Sequence, residues 1–291
     1  MAGKSTQAGR EPEETGGTAL VVGATHQVPA DLMSEMEGMD GAGTSSSADD
    51  SIVPFLALLQ DNSPEVKKRD PKYVDGAEPG TLINKATRQI WLPDEDCIVI
   101  PCHFERTIVE WVPRSAGGGS RGRHPITEPT VEATLLKMGA VQREVPQDDG
   151  SKKLKWVNPE NGNEYIDTRY QYVLIESDGM LMPAVMAFSS TGHQSARAWM
   201  ALQRRPMPGT TRIPPAWFRR YNVRRTTRSN NQGSWFVLEM QDRGWVEDAQ
   251  AREMGRALNV SVSSGAMTAA VDDDVDGAGA GTSSEKDDIP I

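Results

Sequence analysis

Apolar and polar residues alternate in short runs along most of the chain, which is the signature of half-buried strands. The longest run is Cys97 to Val112 (CIVIPCHFERTIVEWV). Strict alternation there puts Ile98, Ile100, Cys102, Phe104, Ile108 and Glu110 on one face, with Val99, Pro101, His103, Glu105, Val109 and Trp111 on the other. Pro101 lacks a donor for the ladder and predicts an edge or a bulge at that point. An opening apolar segment, Ser51 to Gln60, precedes the run, and residues 81–84 and 88–92 read as two short strands around a turn. Further strands are predicted over 152–157 and 164–167, flanking the turn Asn158-Pro159-Glu160-Asn161-Gly162, and over 171–176 and 180–188, flanking Ser177-Asp178-Gly179. Residues 217–227 and 234–241 complete the strand pattern.

Helical spacing is rarer. Glu132 to Met138 is a short candidate that stops at Gly139. A second begins at Thr191, which offers a cap, and carries Ala198, Trp199 and Leu202 before Pro206 ends it. A third spans about 246–258, with Ala249, Met254 and Leu258 as packing positions. The expected fold is mainly β with minor α: an OB-like barrel with extra hairpins and one or two helices. A different β-barrel or an α+β sheet fits the same pattern nearly as well.

Composition divides the chain. Residues 1–50 are rich in Gly, Ser, Thr, Ala and Glu and carry a net charge of −7, while residues 272–291 carry −6. Too little apolar area is present to offset ordering entropy, so 1–50 and 260–291 are expected to be disordered acidic tails around a β-rich body at 51–259. The whole chain has net charge −10, yet removing the tails leaves +3 for residues 51–271. No acidic residue lies between Asp178 and Glu239, where nine arginines do: Arg197, Arg204, Arg205, Arg212, Arg219, Arg220, Arg224, Arg225 and Arg228. A basic body of this kind is the footprint of a polyanion binder. The competing account pairs these arginines with acids from elsewhere, such as Asp94-Glu95-Asp96.

Single-stranded nucleic acid is gripped by cations that track phosphates and by aromatic rings that stack on bases. The two residue types interleave at three places. Arg106, Trp111 and Arg114 lead into Arg121 and Arg123 of the glycine-rich segment Arg114 to Arg123; Lys152, Lys153, Lys155 and Trp156 form a basic arm; and Arg204 and Arg205 precede the densest group, Trp217, Phe218, Arg219, Arg220, Tyr221, Arg224 and Arg225. In an extended segment Trp217, Arg219, Tyr221, Val223 and Arg225 share a face. Trp91, Trp199 and Trp235 are expected in the core, and Trp217, Phe218 and Tyr221 at the surface. Cys97 and Cys102, five apart, point to opposite faces and form neither a disulfide framework nor a zinc pair. No phosphate-cradling loop or nucleophile elbow is present, so no catalytic residue, metal or cofactor is expected. No run approaches a membrane span, which predicts a soluble, cytosolic protein.

The acidic segment closes with Asp287-Asp288-Ile289-Pro290-Ile291. Two acids followed by apolar-Pro-apolar resemble the C-terminal tip of bacterial and phage single-stranded DNA-binding (SSB) proteins, although the usual final Phe is here Ile291. The order of segments over 52–245, from the apolar opening through the long strand, Gly-Arg loop, hairpins and Ser-Thr-Gly helix to the Pro-Pro-aromatic-Arg and Gly-Ser-Trp strands, also looks like that of phage-encoded SSB-like proteins. The resemblance implies a protein that coats single-stranded DNA in replication, recombination or repair. It further implies recruitment of replication or recombination proteins by the tip, and possible homo-oligomers. The alternative class is a virion or assembly protein with charged tails.

Overall fold

A computed structural model describes residues 52–113, 116, 118–146, 152–230 and 233–270, all within the unit Ser46–Ile291. Its framework is an antiparallel sheet of eight strands. The centre is the pair β5 (Ile98–Trp111) and β9 (Glu164–Ser177), each 14 residues long and paired over nearly their whole length. At one end of this pair β5 takes β11 (Arg219–Asn230), which in turn pairs with β12 (Gly233–Trp245). At the other end β5 pairs with β6 (Ser120–Pro125), and β9 with β8 (Lys152–Val157), beyond which lies β7 (Val141–Pro146). β10 (Met180–Ser189) returns along β9 through a turn in which Asp178 and Gly179 both have positive φ, the conformation Asp-Gly supplies at least cost.

The fold is mainly β with minor α, as the periodicity predicts. Barrel closure is the correction: among the described residues the sheet stays open, running from β12 to β7. Three further differences have local causes. The C-terminal half of the predicted Gly-Arg loop is strand β6, because it pairs residues 107–111 of β5. The two runs 164–167 and 171–176 are one strand, since Thr168, Arg169 and Tyr170 stay in the ladder despite breaking the alternation. The expected tail boundary at 260 lies further on, because the last helix continues to Ser263 and residues 268–269 form a strand.

Each face of the sheet is covered by its own apolar cluster. Helix α1 (Val131–Lys137) is capped by Thr130, whose hydroxyl accepts from the N–H of Ala133 at 3.1 Å. With Ile108 and Tyr165 it forms a small cluster at one end. Helix α2 (Gly192–Gln203) seats Ala196 and Trp199 on Val99, Val173, Ile175, Tyr221 and Val223. The side chain of Thr191 makes no cap hydrogen bond; the residue is already helical at φ −59°. A small sheet of β2 (Leu56–Leu58), β3 (Leu82–Asn84) and β4 (Ile90–Trp91) joins the α2 side through Leu56, Leu82 and Trp91. On the opposite face helix α3 (Ala249–Ser263) packs Ala251 and Leu258 over Ile100, Cys102, Tyr170, Tyr172 and Leu174. There the strand β1 (Ile52–Val53) pairs in parallel with β13 (Thr268–Ala269).

A bulge between Pro101 and His103 sits in β5 and absorbs the proline in a central strand. It also inverts the alternation. Ile100 before it and Val109 after it both face α3, while Val99 and Ile108 both lie on the other face. Cys97 and Cys102 do fall on opposite faces, each a buried free thiol that burial pushes up to about 12.

Candidate nucleic-acid interface

The acid-free arginine stretch becomes β11 and its approach, and the sheet brings acids to it from other strands. Arg219 meets Asp242 of β12 at 2.8 Å, Arg220 lies 3.6 Å from Glu176 of β9, and Arg224 lies 3.5 Å from Asp96. Asp96 also takes Arg243 at 2.9 Å, so the competing account named the right acidic turn. Arg225 points inward. Its guanidinium donates to the carbonyls of Gly80, Trp91, Leu92, Glu95 and Val223, which makes it a clamp between β11 and the small sheet.

The aromatic residues divide differently from the expectation. Tyr221 is fully buried, packed edge-on against Trp199 with ring centroids 5.8 Å apart, and burial pushes its hydroxyl up to about 12. It therefore belongs to the core and presents no ring to a base. Trp217 is half-buried in the α3 cluster, on the face away from Tyr221, because a register shift between Arg219 and Tyr221 and a 3-10 turn at Ala216–Phe218 break the extended alternation. Trp91 and Trp199 are buried as expected, and Trp235, Trp111 and Trp156 are half-buried.

Two rings remain at the surface. Phe218 and Trp245 are 37% and 39% exposed, and the backbone ties them together through the N–H of Val246 donating to the carbonyl of Phe218 at 3.0 Å. Each ring carries a guanidinium over its face: Arg219 over Trp245 at 4.6 Å, and Arg252 of α3 over Phe218 at 5.7 Å. Arg252 is held by the carbonyls of Val246 and Glu247, both at 2.7 Å. The result is a patch of two rings and two guanidinium planes; the half-exposed Arg220 and Arg224 follow along β11, each beside a carboxylate. Such a patch can stack on flat π-systems and attract phosphate at once. Trp245 and Arg252 were missed in the sequence because they lie beyond the acid-free window, among Asp242, Glu247 and Asp248; the register Arg219↔Trp245 joins them to it.

The other predicted residues are dispersed. Arg123 donates to the carbonyl of Ala269 at 2.8 Å and lies over Tyr170, tying β6 to β13. Lys155 pairs with Glu164 at 2.8 Å and exposed Lys152 with Glu144 at 3.3 Å, while Lys153 is half-buried beside them on β8. Arg121 on β6, and Arg204 and Arg205 after α2, are exposed. Arg106 forms a two-pronged pair with Asp167, Nε at 2.9 Å and Nη2 at 2.6 Å. Burial alone would raise the Asp167 carboxyl, but these bonds and the neighbouring His193, Arg106 and Arg169 hold it below its usual value. Arg114 and Asp287, Asp288, Ile289, Pro290 and Ile291 lie outside the described residues, as do 1–51 and 271–291. Among the described residues no helix is long and apolar enough to cross a membrane.

Fold and patch together define a mainly β protein with an open antiparallel sheet and an arginine-aromatic surface. Residues 22–268 match a protein family described as Pam3 phage gp34-like protein. The chain belongs to that family, and so to a group of phage proteins. No curated protein and no solved structure matches it.

Proposed function

We propose that this phage protein binds single-stranded DNA during replication or recombination, with Phe218, Trp245, Arg219 and Arg252 as its stacking platform. The observation that carries this reading is the pair of exposed rings, each already faced by a guanidinium. Rings and guanidinium planes accept any base, which suits a protein that coats DNA without reading its sequence. The acidic residues 272–291 recruit partner proteins through Asp287 to Ile291, and they compete with DNA for the basic surface.

A second reading, an assembly protein without affinity for DNA, is favoured by one observation. Arg219, Arg220 and Arg224 each have a carboxylate within 4 Å, which reduces their attraction for a polyanion.

Titration of tryptophan fluorescence with a dT oligonucleotide and with a matched duplex, at two salt concentrations, separates the two. Quenching by dT that exceeds the duplex response and weakens with salt is the expected result. Trp245→Ala should weaken binding by about 1–3 kcal/mol per stacked base, roughly 5- to 150-fold. Absence of any response in the intact chain leaves the assembly protein as the better account.

A further inference from the structure

The α2 face of the central strands carries a second basic group, which joins Arg106, a candidate contact in the sequence, to Arg169 and Arg197, which were not among the candidate contacts. Arg106 of β5 stands directly opposite Arg169 of β9 in the antiparallel register. Like charges directly opposite in a sheet repel, so packing alone gives no reason for the pairing. A third guanidinium joins them from α2. Arg197 is exposed, one helical turn after His193 and therefore on the same flank of the helix, and its charge acts on Arg169.

Among the described residues only Asp167 answers these three cations, and Arg106 already takes both of its carboxylate oxygens. Arg169 is 8% exposed, and among the described residues a single nitrogen, Nη1, has a protein partner, the carbonyl of His193 at 3.1 Å. Burial lowers the pKa of His193, against the Asp167 carboxylate and the Asp167 carbonyl, to which its Nε2–H donates at 2.9 Å, so the ring adds no charge near neutrality. Three guanidinium groups against one carboxylate leave two positive charges uncompensated on this strip. Arg169 is buried at its floor, and Arg106 and Arg197 are exposed beside it.

We propose that Arg106, Arg169 and Arg197 form a seat for a backbone phosphate of the bound strand, separate from the stacking patch of Phe218 and Trp245. The planar forks of arginine match phosphate oxygens in pairs, and the donors left over on Arg169 and Arg197 meet that requirement. This inference rests on the single-strand reading, and it adds a second point of contact that fixes the path of the DNA.

The test uses the full chain, with Arg197→Gln and Arg169→Gln, and two probes: a dT oligonucleotide over a range of salt, and inorganic pyrophosphate followed by thermal upshift. Removing one phosphate contact should flatten the log affinity against log salt slope by about 0.7, equivalent to about fivefold weaker binding at roughly 0.1 M than at 1 M salt relative to wild type. Arg197→Lys keeps the charge and should keep most of the slope. Because Arg197 is exposed, its variants remain informative if Arg169→Gln does not fold. Normal dT binding with an unchanged slope in Arg197→Gln overturns the seat and leaves the single-strand reading intact. Wild type that ignores dT but is stabilised by pyrophosphate, with the upshift lost in Arg197→Gln, keeps the phosphate seat and refutes the single-strand reading. Wild type that responds to neither probe refutes both.

Discussion

Arg225→Met tests whether the arginines of β11 serve binding or architecture. The guanidinium of Arg225 reaches five main-chain carbonyls, and three of them belong to buried residues: Gly80, Trp91 and Val223. Methionine retains the apolar stem but no donor. The carbonyls of Leu92 and Glu95 lie nearer the surface and can take water instead. Leaving three buried acceptors unpaired costs at least about 1 kcal/mol each, so the loss should be about 3 kcal/mol. For a folded body of this size that corresponds to a fall in Tm of roughly 6–12 °C. Chemical denaturation followed by tryptophan fluorescence should show an earlier midpoint with an unchanged slope. The folded variant should bind dT as well as wild type does, since the side chain faces inward. A variant as stable as wild type would refute the clamp, and so would one that folds normally but loses dT binding.

Three further outcomes follow from the same structure. Gly255→Ala should destabilise the protein, because an added Cβ would lie 2.6 Å from Cβ of Trp217, a rigid point of that side chain; the overpacking cost of about 1–3 kcal/mol outweighs the helix-propensity gain of up to about 1 kcal/mol, and thermal melting reads the difference. Thermal stability should fall as pH drops through about 6.5, since burial, with Arg169 and Arg106 beside it, keeps His193 neutral in the fold despite the pull of Asp167, whereas the unfolded chain takes up the proton; His193→Gln should flatten that dependence between pH 7.5 and 5.5. Deleting residues 272–291 should tighten dT binding, most at low salt, and unchanged affinity would remove the competition between the acidic segment and DNA.

Local patterns were legible in the sequence where a single element decided them. The Asp178-Gly179 turn, the stop at Gly139 and the opposed cysteines all depend on near neighbours, and they stand in the structure as read. What pairing decides was hidden. Nothing within residues 179–238 reveals that Asp96, Glu176 and Asp242 will lie beside Arg224, Arg220 and Arg219, because those contacts come from strand register. Tyr221 looked like a surface ring among charges, yet β11 turns it into the core against Trp199. Arg169 was concealed for the opposite reason: it interrupts an apolar strand at a position that becomes meaningful only with Arg106 across from it. Pro101 signalled a bulge correctly, but the inversion of faces beyond it required knowing which residues the bulge displaced.

The parallel pairing of β1 with β13 sets a condition on how the body is completed during synthesis. Val53 and Ala269 lie in one buried cluster, and the N–H of Ala270 donates to the carbonyl of Val53 at 2.9 Å. Ile52 and Val53 are made before the rest of the described residues, and their strand partner is among the last of these to appear. While the residues between them are made, that apolar strand waits without its ladder, beside an acidic stretch whose like charges discourage neighbouring nascent chains from associating. Final closure of the body is thus timed by residues 268–270 rather than by the large sheet.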